Sequence, residues 1–179
     1  MALERTSSAR AEFLFTELYR DAEHVMGSYA NLVILASVAP PTPRVVAASR
    51  DVAQRVAVDH PEGVGVFIVI DSRAGPPDEA SRKALEQVYV ELRKVVRAAV
   101  HVVEGEGFVA AAKRGALTLI NLTVKPGFPT KVASTIDDGI AVMRRTLGPF
   151  WLKDVQPHLL SREMTQARAS LSPPSRRKR

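Results

Sequence analysis

The sequence predicts an α/β fold, with a mostly parallel or mixed sheet of four to five strands and four helices in β-α-β-α-β-α-β-α order. Two observations support this prediction. Residues Val64–Ile70 are apolar on both faces, which is typical of a central strand covered on both sides. Short apolar runs alternate with amphipathic segments from residue 31 to residue 148, as they do in α/β proteins.

The first strand and helix are predicted from composition and capping signals. Residues 31–38 (NLVILASV) are apolar and rich in β-branched side chains, which favours a strand. Thr42 and Pro43 provide an N-cap and a proline at the first helical position, and Pro61 ends the helix near His60. Its buried side is expected to contain Val45, Val46, Val52, Ala53 and Val56.

The central strand leads through a Gly-Pro-Pro loop into a second helix, which begins at about Asp78. Apolar residues at three-and-four spacing predict one buried face that extends as far as Ala99. These residues are Leu85, Val88, Tyr89, Leu92, Val95, Val96 and Ala99. A third strand is predicted over residues 99–103.

The last predicted units are a helix, a short strand and a helix. The sequence Gly105-Glu106-Gly107 indicates a tight turn before an alanine-rich helix over residues 108–122. A short strand follows at residues 130–133. Ser134 and Asp137 resemble a capping box at the start of the next helix, which Gly148-Pro149 terminates. Its buried residues are expected to be Ile136, Ile140, Met143 and Leu147.

The predicted domain covers residues 25–150, with an N-terminal extension (1–24) and a C-terminal extension (151–179). Residues 1–30 favour at least one strand: EFLFTELY (12–19) alternates like a strand although its composition suits a helix, and HVMGSY (24–29) is a candidate edge strand beside residues 31–38. Phe150 and Trp151 either pack back onto the domain or form an exposed anchor for a partner. Residues 154–170 are expected to form a short helix that docks in cis or in trans.

Composition narrows the functional classes. The 179 residues include no cysteine, which excludes disulfides, thiolate zinc sites and a cysteine nucleophile. No apolar run approaches the roughly 18 residues of a membrane span, and the N-terminus lacks a signal-peptide core, so a cytoplasmic protein is expected. The histidines are isolated in sequence, so we expect no metal site and no cofactor. They are His24, His60, His101 and His158.

The positive charge is concentrated at the C-terminus. Six basic residues and one acidic residue lie in residues 161–179, so this segment accounts for +5 of the net charge of +6. The nearly neutral remainder is no obvious nucleic-acid surface. The basic tail is predicted to be disordered, and it either solubilises the chain or contacts an anionic surface or acidic partner.

Asp71 is the best-placed candidate for a catalytic carboxylate, because active sites of α/β folds favour the carboxyl ends of strands. The structural alternative is that its side chain caps the following loop. His101 lies in an apolar strand and is interpreted as a core or edge residue. Gly105-x-Gly107 is similar to a dinucleotide-binding turn, but alanine stands at position 110, where the third glycine is required.

Several of these segments together resemble the STAS superfamily, the sulfate-transporter and anti-sigma-factor-antagonist domains. The closer likeness is to stand-alone bacterial STAS-like proteins, over about residues 25–148. It is carried by Ile70-Asp71-Ser72-Arg73 at the end of the central strand, and by Gly105-Glu106-Gly107-Phe108 with Arg114 in the third helix. The resemblance implies a non-catalytic switch or docking module, and several such modules are regulated by phosphorylation.

The chain departs from the signalling members of that superfamily in one respect. Anti-sigma antagonists carry the phosphorylated serine in an Asp-Ser-Ser-Gly type sequence at the start of the second helix. The corresponding residues 75–81 lack this motif. Phosphorylation of Ser72 or Ser81 is therefore one hypothesis, and ordinary loop or helix-start serines are the alternative.

We therefore expect a non-catalytic module that binds a partner protein, in signalling or regulation. The predicted contact surface is the carboxyl edge of the sheet, at Asp71, Ser72, Arg73, Gly105 and Gly107. One alternative is a small-ligand-binding protein or enzyme that uses Asp71. The other is an electrostatic tether through residues 161–179. The sequence leaves the oligomeric state open, with a dimer among the options.

Overall fold

A single mixed sheet of six strands organises the protein, and strands that are adjacent in sequence are neighbours in the sheet. The computed structural model describes residues 15–124, 126–151 and 155–171. The strands are β1 (Thr16–Arg20), β2 (His24–Tyr29), β3 (Leu32–Ser37), β4 (Val64–Ile70), β5 (Val96–Val103) and β6 (Thr130–Ala133). Strand β2 is antiparallel to its neighbours β1 and β3, and β3 to β6 are parallel.

The described residues also form five α-helices. They are α1 (Pro43–Asp59), α2 (Glu79–Leu92), α3 (Gly107–Val124), α4 (Ile136–Leu147) and α5 (Pro157–Ala169). Helices α1 and α2 pack together against one face, and α3 contacts β5 and β6. Helices α4 and α5 pack together against the opposite face. The α/β prediction is confirmed, with six strands and five helices in place of four to five and four.

The central strand β4 has the predicted bounds and lies between β3 and β5. Phe67 and Val69 are fully buried in the core under α4 and α5, whereas Val64 belongs to the core under α1 and α2. Both faces of this strand are therefore covered, as its uninterrupted apolar sequence predicts.

Helices α1 and α4 bury the residues predicted for them. All five predicted residues of α1 and all four of α4 are buried. Thr42 caps α1, since its hydroxyl accepts a hydrogen bond of 3.3 Å from the Val45 amide. The predicted cap of α4 is wrong by one residue. Thr135 is the N-cap and accepts from the Asp138 amide at 3.1 Å, while Ser134 donates to the Asp138 carboxylate at 3.0 Å.

The second helix is shorter than predicted. It ends at Leu92, and Val96 and Ala99 belong to β5 instead of to the helix. The apolar spacing of residues 88–99 fits both a helical face and a buried strand, so periodicity alone cannot separate them. Pairing with β4 decides the outcome, and the Val64 amide already bonds to the Val95 carbonyl at 2.9 Å.

The N-terminal strands extend the sheet beyond the predicted domain. His24–Tyr29 is a strand and pairs with β3, but it is interior, because β1 pairs along its other side. The edge strand β1 lies within residues 1–24, the predicted N-terminal extension. An antiparallel hairpin therefore completes the sheet at this end.

The C-terminal helix α5 docks in cis. Leu160 and Met164 are fully buried, and Ala167 and Leu171 continue the same apolar stripe. The helix predicted over residues 154–170 is confirmed, with residues 157–169 helical. Residues 161–169, which were also assigned to a basic tail predicted to be disordered, lie in this helix. Residues 172–179 lie outside the described part of the chain. Trp151 packs against the same core, and the Arg97 guanidinium lies 5.5 Å from the Phe150 ring, which supports the packed alternative for this segment.

Gly139 provides a test of the packing between α4 and the sheet. A Cβ atom at this position would lie 2.6 Å from Phe67 Cζ and 2.6 Å from Val102 Cγ2. Gly139→Ala is therefore expected to lower the free energy of unfolding, measured by urea denaturation, by about 1–3 kcal/mol.

Gly115→Ala in α3 is the matched control, because no atom lies within 4 Å of a Cβ atom built there. Alanine is a better helix former than glycine, so this variant is expected to gain up to about 1 kcal/mol. Equal destabilisation of both variants would contradict the packing described for Gly139.

Candidate functional site

Four parallel strands end together at one side of the sheet. Ser37 of β3 is paired with Ile70 of β4, Ile70 with Val103 of β5, and Val102 with Ala133 of β6. The residues that follow these ends therefore meet along one rim. We call residues 71–75, 104–107 and 134–135 the carboxyl edge. The predicted contact residues all lie in its first two segments.

The loop after β4 is closed by hydrogen bonds from its own residues. The Ala74 amide bonds to the Asp71 carbonyl at 3.0 Å, which forms a tight turn. Asp71 Oδ1 accepts from the Arg73 amide and from Arg73 Nε, both at 2.8 Å, and Asp71 Oδ2 accepts from Arg73 Nη2 at 3.0 Å. Asp71 therefore caps its own loop, as the structural alternative for this residue predicts.

The pairing with Arg73 sets the electrostatic state of Asp71. The hydrogen-bonded Arg73 guanidinium holds the pKa of the Asp71 carboxyl below its usual range. Asp71 is thus ionised at neutral pH, and both of its oxygens are occupied. Its side chain is only 14% exposed, whereas that of Arg73 is 60% exposed. The loop therefore presents mainly the Arg73 guanidinium and the exposed Ser72.

The turn after β5 approaches the loop after β4 closely. Gly105 and Gly107 have positive φ angles of 109° and 79°, a conformation that favours glycine. A Cβ atom on Gly105 would lie 3.1 Å from Ser72 Cβ. The Gly-Glu-Gly sequence thus forms the predicted tight turn, and it brings Gly105 and Gly107 beside the Asp71–Arg73 loop.

Two basic residues of α3 fasten these loops to the domain. Lys113 Nζ donates to the Ser72 carbonyl and, at 2.8 Å, to the Ala74 carbonyl. Arg114 Nη1 donates to the Val103 carbonyl at 3.0 Å and to the Gly105 carbonyl at 3.2 Å. Sequence reasoning missed the role of Lys113. The available signal was that these two residues are the only charged ones in α3.

An ion pair connects α5 to the same rim. Arg168 in the last turn of α5 pairs with Glu104, which directly follows β5. Ser170 accepts a hydrogen bond of 3.1 Å from Arg20 at the end of β1. The last described residue, Leu171, therefore lies close to the carboxyl edge. The sequence predicts a helix here but leaves open whether it docks in cis or in trans, so this connection could not be predicted.

The two candidate phosphorylation sites differ in accessibility. Ser72 is exposed at the tip of the loop after β4. Ser81 is fully buried in the first turn of α2, where its amide bonds to the Asp78 carboxylate at 2.8 Å. This burial argues against Ser81 as a kinase target in the folded chain. Phosphorylation of Ser72 stays a prediction.

Two open grooves lie beside the carboxyl edge. One, of about 550 Å³, is lined by residues 104–107 with Arg114, Ser134 and Thr135. The other, of about 490 Å³, lies between α3, β6 and α4. Asp71 and Arg73 line neither groove. Among the described residues, no cluster of three or more histidine or acidic side chains is arranged to hold a metal ion.

His101 is buried in β5, paired with Ile68 of β4 and Val132 of β6. It is 4% exposed, and within the described residues its Nδ1 atom has no hydrogen-bond partner. Burial lowers the pKa of His101 from its ordinary value of 6.5 to about 4. The residue is a neutral part of the core, in agreement with its sequence interpretation.

No protein-family model fits the chain, and no curated protein is significantly similar to it. The resemblance to STAS domains therefore stays a prediction. Within residues 15–124, 126–151 and 155–171, no helix combines the length and the apolar character needed to cross a membrane.

The buried His101 predicts a specific pH dependence of stability. Because its folded-state pKa is lower than its unfolded-state pKa, the unfolded chain binds the proton first as the pH falls. The free energy of unfolding should therefore decrease between about pH 6.5 and pH 4, by an amount on the order of 3 kcal/mol from this residue.

His101→Val removes the titrating group and retains a β-branched strand residue. Urea denaturation at pH 7 and pH 4.5 should show a smaller loss of stability for the variant than for the wild-type chain. Parallel losses in the two proteins would contradict the burial of a neutral His101.

Proposed function

We propose that this chain is a non-catalytic regulatory module of STAS type, which binds a partner protein at the carboxyl edge of its sheet in signalling or regulation. One observation carries the proposal: Asp71, Ser72 and Arg73 form an exposed loop whose conformation is held from several sides. The predicted order of strands and helices, and the proximity of Gly105 and Gly107 to this loop, also support it.

The rigidity of the carboxyl edge favours binding of a protein surface. Asp71 holds the Arg73 backbone and side chain, Lys113 holds two carbonyls of the same loop, and Arg114 holds the neighbouring turn. A preorganised surface loses little conformational entropy on association. Arginine is also enriched among residues that dominate binding energy, and Arg73 is the most exposed charged group of this loop.

The enzyme alternative based on Asp71 has less support. A general base requires a pKa near the operating pH and a free oxygen that faces the substrate. The pKa of Asp71 is lowered by Arg73, and both carboxylate oxygens accept hydrogen bonds from that residue. The side chain also lines neither groove of the edge.

The direct test is affinity capture from native extract with the double variant Asp71→Ala, Arg73→Ala. The wild-type chain is expected to capture a specific partner. The double variant should capture at least tenfold less of it. The matched control is the double variant Arg50→Ala, Asp51→Ala. It removes another surface ion pair, which lies on α1 and has a distance of 2.7 Å between Arg50 Nη2 and Asp51 Oδ1. Retention of the same partners by both double variants would overturn the proposal.

A second candidate function is an electrostatic tether. The position of α5 next to the carboxyl edge favours it. Helix α5 ends beside the carboxyl edge through the Arg168–Glu104 pair. The residues that follow, 172–179, include Arg176, Arg177, Lys178 and Arg179 and no acidic residue. An anionic or acidic partner could therefore contact the edge and these residues together.

Truncation after Leu171 separates the two candidates, because it removes the four basic residues and leaves the buried residues of α5 in place. Binding through the carboxyl edge should survive this truncation and depend weakly on salt. A tether should lose binding on truncation and weaken steeply between 50 and 200 mM salt, as charge-driven association generally does. Binding assays of both chains over this salt range make the distinction.

A further inference from the structure

The outward side of α3 is unusually apolar for a helix on the surface of a domain. Phe108 is 87% exposed and Val109 is 64% exposed, whereas Ala110 is buried. Ala111, Ala112, Gly115 and Ala116 are also exposed. Surface helices normally direct polar side chains outward, and contiguous exposed apolar groups mark interaction sites.

Helical geometry aligns four of these residues in one stripe. At 100° per residue, Phe108, Ala112, Gly115 and Leu119 fall within about 60° of one another. Their spacing of four, three and four is that of the contact seam between paired helices. All four side chains are uncharged, and we call these residues the α3 stripe.

We propose that the α3 stripe is a self-association surface, on which a second copy of this chain docks with its own α3 in antiparallel orientation about a two-fold axis. The spacing is symmetric about the midpoint between residues 113 and 114. Phe108 of one copy therefore faces Leu119 of the other, and Ala112 faces Gly115. Large side chains meet at the ends, and small residues in the middle allow close approach.

Such a contact is isologous: the same patch serves both copies, which is the usual arrangement in homodimers. The stripe is self-complementary in size and carries no charge that would repel its copy. No atom lies within 4 Å of a Cβ atom built on Gly115, so a facing Ala112 has room there.

The basic residues of α3 do not favour a lipid surface or a polyanion as the occupant. Peripheral membrane helices usually combine an apolar face with basic groups directed at anionic headgroups. Here the Lys113 ammonium and the Arg114 guanidinium donate to backbone carbonyls of the carboxyl edge. The charges of α3 are thus used within the domain, and its outward side is left to apolar contact.

The size of the stripe predicts a reversible dimer. An α-helix of 18 residues is about 27 Å long. One such seam buries less than the roughly 800 Å² per partner of a standard stable interface. We therefore expect a dimer dissociation constant in the micromolar range or above. The α3 stripe and the Asp71–Arg73 loop use different side chains, so this inference does not depend on the proposed partner binding.

Sedimentation equilibrium of the purified full chain from 5 to 500 μM is the first test. The apparent mass should rise with concentration towards twice the chain mass of 19.5 kDa. Ala112→Glu places two like charges near the two-fold axis and should raise the dimer dissociation constant at least tenfold. Val58→Glu is the matched control on α1, where Val58 is 80% exposed, and it should leave dimerisation unchanged.

Cysteine crosslinking tests the geometry, because the natural sequence contains no cysteine. A mixture of an Ala112→Cys chain and a Gly115→Cys chain should form a disulfide-linked dimer under mild oxidation, in higher yield than either chain alone. A mixture of Val58→Cys and Ala112→Cys chains should crosslink least.

Three results would overturn the inference. The wild-type chain could stay monomeric at 500 μM, or it could dimerise without sensitivity to Ala112→Glu. The third is that the monomer binds neutral phosphatidylcholine vesicles in a flotation assay and loses that binding on Phe108→Ser. That result would make a lipid surface the occupant of the stripe. Circular dichroism of each variant distinguishes a lost contact from a misfolded chain.

Discussion

The burial of β4 on both faces is the constraint on which the rest of the structure depends. A strand with no polar side chain on either face requires helices above and below the sheet. Helices α1 and α2 cover one side of it, and α4 and α5 cover the other. Parallel connections then bring the ends of β3 to β6 to one rim, where the polar residues that follow them collect. The location of the carboxyl edge is thus a consequence of how this core is buried.

At that rim the charged side chains form hydrogen bonds and ion pairs that stabilise the loops. These groups are therefore already engaged and less available to a ligand. Asp71 binds Arg73, Lys113 and Arg114 bind backbone carbonyls, and Glu104 binds Arg168. This pattern fixes the shape of the surface without creating a cavity around Asp71, which is why we propose docking instead of catalysis. The same interactions leave α3 with an uncharged outward side. The proposed partner surface and the proposed dimer surface therefore arise from one set of hydrogen bonds.

Much of the fold follows from local patterns in the sequence. The bounds of β4, the Thr42 cap and the buried residues of α1 and α4 were all predictable, since each depends on periodicity or on a capping residue. The end of α2 was not, because residues 93–99 satisfy the helical and the strand pattern equally and only pairing with β4 decides. A helix over residues 154–170 was predicted, but its docking in cis was not, because the packing of Leu160, Met164, Ala167 and Leu171 depends on tertiary contacts. At the carboxyl edge, the sequence identified Asp71 and the glycine turn, but contacts from Lys113 and Arg168 depend on tertiary proximity.

We propose that a partner protein binds at the carboxyl edge. Amide hydrogen exchange of the full chain, with and without its captured partner, measures this most directly. Exchange should become slower on binding at residues 71–75 and 104–107 and stay unchanged at residues 43–59 of α1. Unaltered exchange at both loops, together with protection elsewhere on the domain, would contradict it.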